Sequence, residues 1–268
     1  MTSNAFSPEH LEYLRRRRLR QICIRGSQVL LLVGLFLLWE LAARLGWINA
    51  FIFSQPTKVW SAIVRLASRG ELWRHLGWTV GETVIGFTTG TIAGILLAIL
   101  LWWSPFLSRV MDPYIVVLNS IPKVALGPIF VVWLGTTITA VVAMAIAVSV
   151  IVAVMMMHTG FQEVDENQVK LVQTFGASKG QVLRKVIIPA SLPTMIAALK
   201  VNVGLSLVGT IVGEFLASKA GLGYLIIYGG QVFNMSLVMG SVILLSIVSV
   251  ILYYAVTLLE DRVTRGRR

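Results

Sequence analysis

The sequence predicts an all-α membrane protein with six transmembrane helices. Of its 268 residues, 56% are apolar and only 13% are charged, and the mean hydropathy is +0.81. Soluble domains are about 45–50% apolar and about 25% charged. The composition therefore excludes a soluble globular enzyme, a disordered chain and a coiled coil. A single cysteine, Cys23, excludes an intrachain disulfide and a cysteine-based metal cluster.

Six apolar stretches are long enough to cross roughly 30 Å of hydrocarbon, which takes about 20 residues. They lie at about residues 28–47, 77–103, 114–134, 138–158, 193–216 and 237–259. We expect Pro122 and Pro128 to distort the third span, because proline removes a backbone donor. On the second span, Gly86, Gly90 and Gly94 recur every four residues, which predicts close helix packing.

Basic residues predict the orientation of these spans. Six spans place four polar segments on one side of the membrane, and these segments hold 15 of the 23 Lys and Arg residues. Cytoplasmic loops carry the excess of Lys and Arg, so both termini are expected in the cytoplasm. The net charge of +11 thus reflects topology and predicts no nucleic-acid partner. Residues 1–27 are expected to form a basic cytoplasmic segment, and residues 28–268 the six-span domain.

The segment Pro56–Arg69 follows the first span, and its apolar residues Val59, Ile63 and Leu66 fall at helical spacing. This pattern predicts a short amphipathic helix at the outer surface. Its basic residues could meet lipid headgroups or a partner protein, or they could simply form a solvated face.

Motifs for catalysis and for nucleotide binding are absent from the sequence. There is no phosphate-binding Gly-x-x-x-x-Gly-Lys-Ser/Thr loop, and none of the three histidines has a partner at metal-ligand spacing. The chain is therefore predicted to be no enzyme and to bind no metal or cofactor. Only Glu40, Glu82 and Glu214 are acidic residues within the spans, which gives little support to a proton-coupled pump.

The polar segment 159–192 lies between the fourth and fifth spans, and the connections between the other spans are mostly shorter. Val164, Gln168, Leu171 and Phe175 share one helical face, and Gly176-Ala177-Ser178 interrupts the helix. A second helix, Lys179–Ile188, is expected to end before Pro189. Such a helix–turn–helix could insert into a groove on another protein, or it could be an ordinary connector.

This segment resembles the cytoplasmic loop of the inner-membrane permeases of binding-protein-dependent, ATP-driven (ABC) importers. The family pattern is Glu-Ala-Ala, three residues, Gly, nine residues and Ile-x-Leu-Pro. Gly176 takes the glycine place, and Val186, Ile188 and Pro189 take the Ile, Leu and Pro places. The chain departs from the pattern at the Glu-Ala-Ala positions, which are Lys170, Leu171 and Val172.

Other segments extend the resemblance over nearly the whole chain. The stretches 119–135 and 213–225 are similar to the third and fifth spans of the nitrate, sulfonate, taurine and bicarbonate branch, and 56–73 is similar to its outer segment. The resemblance implies the type I ABC importer permease fold. It also implies an assembly in the lipid bilayer of a prokaryotic inner membrane. The assembly would contain two permease copies, a cytoplasmic ATPase dimer that binds ATP and Mg²⁺, and an extracytoplasmic solute-binding protein.

Within that assembly, the resemblance assigns the 159–192 loop to ATPase coupling. The residues expected to couple are Lys170, Leu171, Val172, Phe175, Gly176, Ala177, Ser178, Val186, Ile188 and Pro189. Gly176, Ala177 and Ser178 would lie at the tip of the loop, in the groove of the ATPase.

Polar residues within the spans are candidates for the translocation path, because they are costly in hydrocarbon. Lys123, with Asn119 one turn before it, could attract an anionic substrate or form a structural pair. Asn202, Ser206 and Thr210 recur every four residues and could line the path or join helices by hydrogen bonds. Glu214 could be a gate residue or a partner of Lys123.

The function predicted from these observations is an importer permease for a small anionic solute. A self-contained secondary carrier driven by an ion gradient is the alternative.

Overall fold

We describe a computed structural model of the chain. It describes the backbone of residues 8–265 and the side chains of residues 13–260. The tail arginines that contribute to the predicted orientation, Arg262, Arg265, Arg267 and Arg268, have side chains outside the described residues. The chain divides into two compact units between Ala62 and Ile63.

The first unit contains α1 (Pro8–Arg44), α2 (Ala50–Phe53) and the start of α3 (Pro56–Ser68). Helix α1 is continuous through the expected boundary at residues 27 and 28, and the most apolar part of its described stretch contains no buried residue. Near its end, the Glu40 carboxylate accepts hydrogen bonds of 3.0 Å from both the backbone N–H and the hydroxyl of Thr57. Glu40 therefore satisfies a backbone donor in the first turn of α3, where no intrahelical partner exists. Helix α3 confirms the short helix predicted after the first span.

The second unit is helical throughout its regular structure. After the end of α3, its α-helices are α4 (Glu71–Trp103), α5 (Pro105–Ser120), α6 (Gly127–Leu134), α7 (Ile138–Gln162), α8 (Glu166–Thr174), α9 (Lys179–Val182), α10 (Ile188–Ala217), α11 (Leu222–Gln231) and α12 (Met235–Arg265). A 3₁₀ turn, Lys123–Leu126, precedes α6, and a π-helical turn, Leu183–Ile187, joins α9 to α10.

Helices α4, α7 and α10 form the centre of this unit, and glycines bring their backbones together. A Cβ atom added at Gly86, Gly90 or Gly94 of α4 would lie 2.4–2.5 Å from side-chain atoms of α7. The predicted glycine stripe is thus confirmed as a packing surface. On α10, a Cβ atom at Gly209 or Gly213 would lie 2.7–2.8 Å from the α7 backbone. Helix α7 therefore packs closely between α4 and α10.

Five of the described helices are long and apolar enough to cross a membrane, and a bent pair raises the number to six. The pair, Pro105–Ser120 and Lys123–Leu134, bends by 86° and covers the third predicted span. Pro122 lies at the bend, as predicted. Pro128 does not distort a helix, because it lies in the first turn of α6, where its missing N–H is not needed.

Candidate functional site

The segment 159–192 forms two helical pieces around a glycine turn, as predicted. Helix α8 begins at an Asp165 side-chain cap and ends before Gly176, whose backbone is left-handed with a φ of 82°. Ser178 caps α9 through a reciprocal capping box with Gln181. Lys170 pairs with Glu166 at 2.9 Å on the exposed side of α8. Because its φ is positive, Gly176 adopts a backbone conformation that other residues rarely take.

The second helix of the segment does not end before Pro189, so that expectation is wrong. The chain is helical from Lys179 to Ala217. The π turn explains the continuity, because the N–H of Ile188 bonds to the carbonyl of Leu183, five residues earlier. Pro189 therefore falls in the first turn of α10, where proline is tolerated. The loop is thus continuous with the fifth span, and Val186, Ile188 and Pro189 lie at this junction.

Helix α8 has one packed side and one exposed apolar side. Val169 of α8, with Val164 and Ala177 on either side of the helix, packs against a core formed by residues of α4, α7, α9, the π turn and α10. Leu171 and Phe175, in contrast, are 59% and 81% exposed. The segment is therefore anchored to the bundle while it presents two large apolar side chains outward.

Lys179 connects the segment to the end of α4. Its ammonium donates a hydrogen bond to the carbonyl of Trp103, the last residue of α4. The same nitrogen lies 5.6 Å and 5.9 Å from the ring centroids of Trp103 and Trp102. Such contacts combine a cation–π attraction with a partner for an unpaired carbonyl at a helix end. Sequence reasoning missed Lys179, because its partner is 76 residues away.

Lys123 lies half-buried at the bend between α5 and α6. Its ammonium bonds to the backbone carbonyl of Asn119 at 2.8 Å and to the side-chain oxygen of Asn119 at 3.2 Å. Among the described side chains, no carboxylate lies within 4 Å of this ammonium. The structure therefore brings Asn119 and Lys123 together and does not pair Lys123 with Glu214.

Asn202, Ser206 and Thr210 are buried, and the first two form hydrogen bonds to α4. The Asn202 amide donates to the hydroxyl of Thr91 at 2.7 Å, and the Ser206 hydroxyl donates to the carbonyl of Thr83 at 3.1 Å. Two polar atoms in this row, Asn202 Oδ1 and Thr210 Oγ1, have no hydrogen-bond partner in the structure. Asn202 and Ser206 thus make the interhelical bonds that were the alternative to lining a path.

Glu214 holds the turn that follows α10. Its carboxylate accepts hydrogen bonds from the Thr79 hydroxyl at 2.6 Å and from the N–H of Gly223 at 2.5 Å. A Cβ atom added at Gly221 or Gly223 would come within 2.3–2.7 Å of this carboxyl group. The two glycines of the sequence AGLGYL are therefore required by the close approach of the chain to Glu214.

Sequence reasoning missed the partners of Glu214. The Glu82 side chain forms a hydrogen bond with Glu214, and His75 Nδ1 accepts the N–H of Gly221 at 3.0 Å. His75, Thr79 and Glu82 recur on one face of α4. That spacing was the only signal in the sequence. No group of three or more His, Cys, Asp or Glu within the described part of the chain could hold a metal ion.

Comparison with known proteins places this architecture among transporters. Residues 90–268 match the family model of the inner membrane component of binding-protein-dependent transport systems. A probable ABC transporter permease protein of Haemophilus influenzae is 30% identical over 240 residues, which cover 89% of this chain and 97% of the relative. The taurine transport system permease protein TauC of Escherichia coli is 25% identical over 262 residues, which cover 94% and 95%.

Solved structures show the same fold. The chain is similar to a chain of the MetNI methionine ABC transporter, in inward-facing conformations, with a TM-score of 0.63 and 21% identity over 75% of this chain and 97% of that one. It is also similar to a chain of a bacterial ABC transporter involved in alginate import, with a TM-score of 0.64 and 15% identity over 92% and 98%. The all-α fold predicted from the sequence is thus that of type I importer permeases. The chain belongs to the family of inner-membrane components of binding-protein-dependent transport systems.

Proposed function

We propose that this multi-pass permease moves a small solute with an anionic group, which an extracytoplasmic binding protein delivers and a separate ATPase drives inward. The family match and the fold support the role of permease. Relatives named for aliphatic sulfonate and taurine transport favour an anionic solute. Two copies of the chain would form the path, with both termini in the cytoplasm.

The exposed pair Leu171 and Phe175 is the observation on which the ATPase contact depends. Most other residues of helix α8 are polar, and Val169 on its packed side already anchors it to the bundle. Large apolar side chains presented by an anchored polar helix are typical of a protein–protein contact. We assign the contact to Lys170, Leu171, Val172, Phe175, Gly176, Ala177 and Ser178.

The continuous helix from Lys179 to Ala217 supports transmission of movement from this contact. The junction residues Val186, Ile188 and Pro189 connect the loop to α10 without a flexible linker. Movement of the docked loop would therefore reach the fifth span directly. ATP and Mg²⁺ would bind to the ATPase, and the permease would supply no catalytic group.

Lys123 is the residue that we assign to the anionic group of the solute. Its charge lies in the bend of the third span, without a carboxylate within 4 Å among the described side chains. Asn119 orients the ammonium through two contacts. Asn202, Ser206 and Glu214 would support the wall of the path, because their side chains form hydrogen bonds within the helix bundle. Thr210 lies buried in the same row, and its hydroxyl has no hydrogen-bond partner in the structure.

A charge placed at the exposed apolar pair tests the proposal. Phe175→Asp should abolish copurification of the ATPase and ATP-driven uptake in proteoliposomes, because a carboxylate cannot enter an apolar groove without a partner. Gln173→Asp introduces the same charge on the opposite side of α8 and should leave both unchanged. Uptake by the chain alone, driven by an ion gradient, would instead support a secondary carrier.

A further inference from the structure

A cavity of about 340 Å³ lies where α4, the start of α7 and the turn after α10 meet. It is at the low end of the range of about 300–1,000 Å³ that is typical of small-ligand pockets. Its lining combines a carboxyl group, two cations, hydroxyl groups and an aromatic ring. The residues that matter here are Arg74, Trp78, Glu82, Thr136, Ser218 and Lys219.

Glu82 is the buried polar side chain of this cavity. It is 2% exposed, and its Oε2 atom has no hydrogen-bond partner in the structure. The neighbouring Glu214 differs, because Thr79 and Gly223 donate to its carboxylate and hold the turn after α10. A buried polar atom without a partner is rare in native proteins, since water is no longer available to it. Glu82 Oε2 can therefore accept a hydrogen bond from a ligand, whereas both carboxylate oxygens of Glu214 already accept hydrogen bonds from the chain.

Two cations line the same cavity as Glu82. Arg74 and Lys219 have exposed side chains, and neither lies within 4 Å of a carboxylate among residues 13–260. A carboxyl pair favours a cation beside it, and the arginine and lysine favour an anion. The two signs of charge therefore occur in one small volume without neutralising each other.

We propose that this cavity, which Lys123 does not line, is a second site for the solute, and that it binds a small zwitterion with its protonated amine at Glu82 and its anionic group at Arg74 and Lys219. The inference builds on the proposed import function, and it specifies the solute as carrying an amine. The turn after α10 forms part of the cavity wall, so the hydrogen bonds between Glu214 and this turn stabilise the geometry of the site. Trp78, on the same helix as Glu82, provides the aromatic wall.

Two pairs of probes test for the amine. Taurine and isethionate share a sulfonate and differ only in an amine or a hydroxyl group, and β-alanine and 3-hydroxypropionate share a carboxylate in the same way. Binding to the full chain in lipid nanodiscs can be measured by saturation-transfer NMR. In at least one pair, we expect the amine to bind about tenfold more tightly, which corresponds to about 1.4 kcal/mol. No preference in either pair overturns the proposal.

Matched variants assign the two charges. Glu82→Gln keeps the side-chain volume and should remove the preference for the amine, while Glu71→Gln, at the exposed start of the same helix, should retain it. Lys219→Gln changes an exposed side chain and should weaken the binding of both members of a probe pair by the same factor. A preference that survives in Glu82→Gln, with an unchanged unfolding temperature, overturns the role of Glu82.

A separate measurement distinguishes this proposal from the import function. ATP-driven uptake with the ATPase and binding protein present tests the importer without reference to Glu82. Uptake that continues while no probe pair shows a preference would overturn the zwitterion site alone. Failure of the chain to associate with an ATPase would overturn the proposed function, even if the amine probes bind.

Discussion

At the Ala217 end of α10 the chain turns through two glycines that touch a buried carboxyl group, whereas near the Ile188 end the Gly176 turn has open space around it. A Cβ atom at Gly221 would lie 2.3 Å from the Glu214 carboxyl, but one at Gly176 would meet no atom within 4 Å. Both glycines have positive φ values, of 112° and 82°. The two glycines thus share a φ in the left-handed region, but only Gly221 is closely surrounded by other atoms.

The two turns are therefore stabilised differently, one by buried contacts with other helices and the other mainly by local contacts. The turn after α10 is fixed by buried hydrogen bonds that its backbone N–H groups donate to Glu214, Thr79 and His75. The Gly176 turn is fixed by local capping at Ser178 and by packing on one side, which leaves its other side for a partner. Substitutions at the first turn should therefore reduce stability, and substitutions at the second should mainly reduce coupling.

Gly221→Ala should have the largest effect on stability. The added methyl group would clash with the Glu214 carboxyl, and the φ of 112° is unfavourable for alanine. Overpacking costs about 1–3 kcal/mol and backbone strain adds about 1–3 kcal/mol, so we expect a loss of at least about 2 kcal/mol. Thermal unfolding in detergent measures it. Gly230→Ala, on α11 with no atom within 4 Å, is the control, and an equal loss in both would contradict the comparison.

Glu214→Ala should destabilise the same turn by about 1–3 kcal/mol, since it leaves the buried Thr79 hydroxyl and the Gly223 N–H without their acceptor. Glu214→Gln should cost less, because the amide oxygen can still accept one of these bonds. The order of the two unfolding temperatures tests this reasoning. If both variants unfold at the same temperature as the original chain, Glu214 does not hold the turn.

The sequence was sufficient for the spans, the α8–turn–α9 segment and the glycine stripe, because each depends on local spacing. It was insufficient to predict that the helix continues through Pro189. The π turn changes the hydrogen-bond register, and the spacing of apolar residues in the sequence does not reveal such a turn. It was also insufficient for the cluster around Glu214. Glu214 and Thr79 are 135 residues apart, and only the packing of α4 against α10 brings them together.

Lys179→Ala should have a smaller effect on stability, of about 1 kcal/mol, because an exposed cation–π contact and one hydrogen bond are lost. We expect a larger change in the number of ATP molecules hydrolysed per solute imported, since Lys179 connects the loop to the end of α4. Lys185→Ala, also exposed and six residues later, is the matched control. An unchanged ratio of hydrolysis to import in Lys179→Ala would limit this lysine to a structural role.

Gly176→Ala tests the difference between the two turns directly, because it adds the same methyl group as Gly221→Ala in a turn of the same handedness. With open space around the Cβ, only the left-handed backbone opposes the change, at a cost of about 1–2 kcal/mol. A bulkier Gly176→Leu should cost no more in unfolding free energy, since the larger side chain points into open space. It should nevertheless abolish ATP-driven uptake if an ATPase covers that space. Normal uptake by Gly176→Leu would show that no partner approaches the turn, and a loss of stability equal to that of Gly221→Ala would show that the two turns are constrained alike.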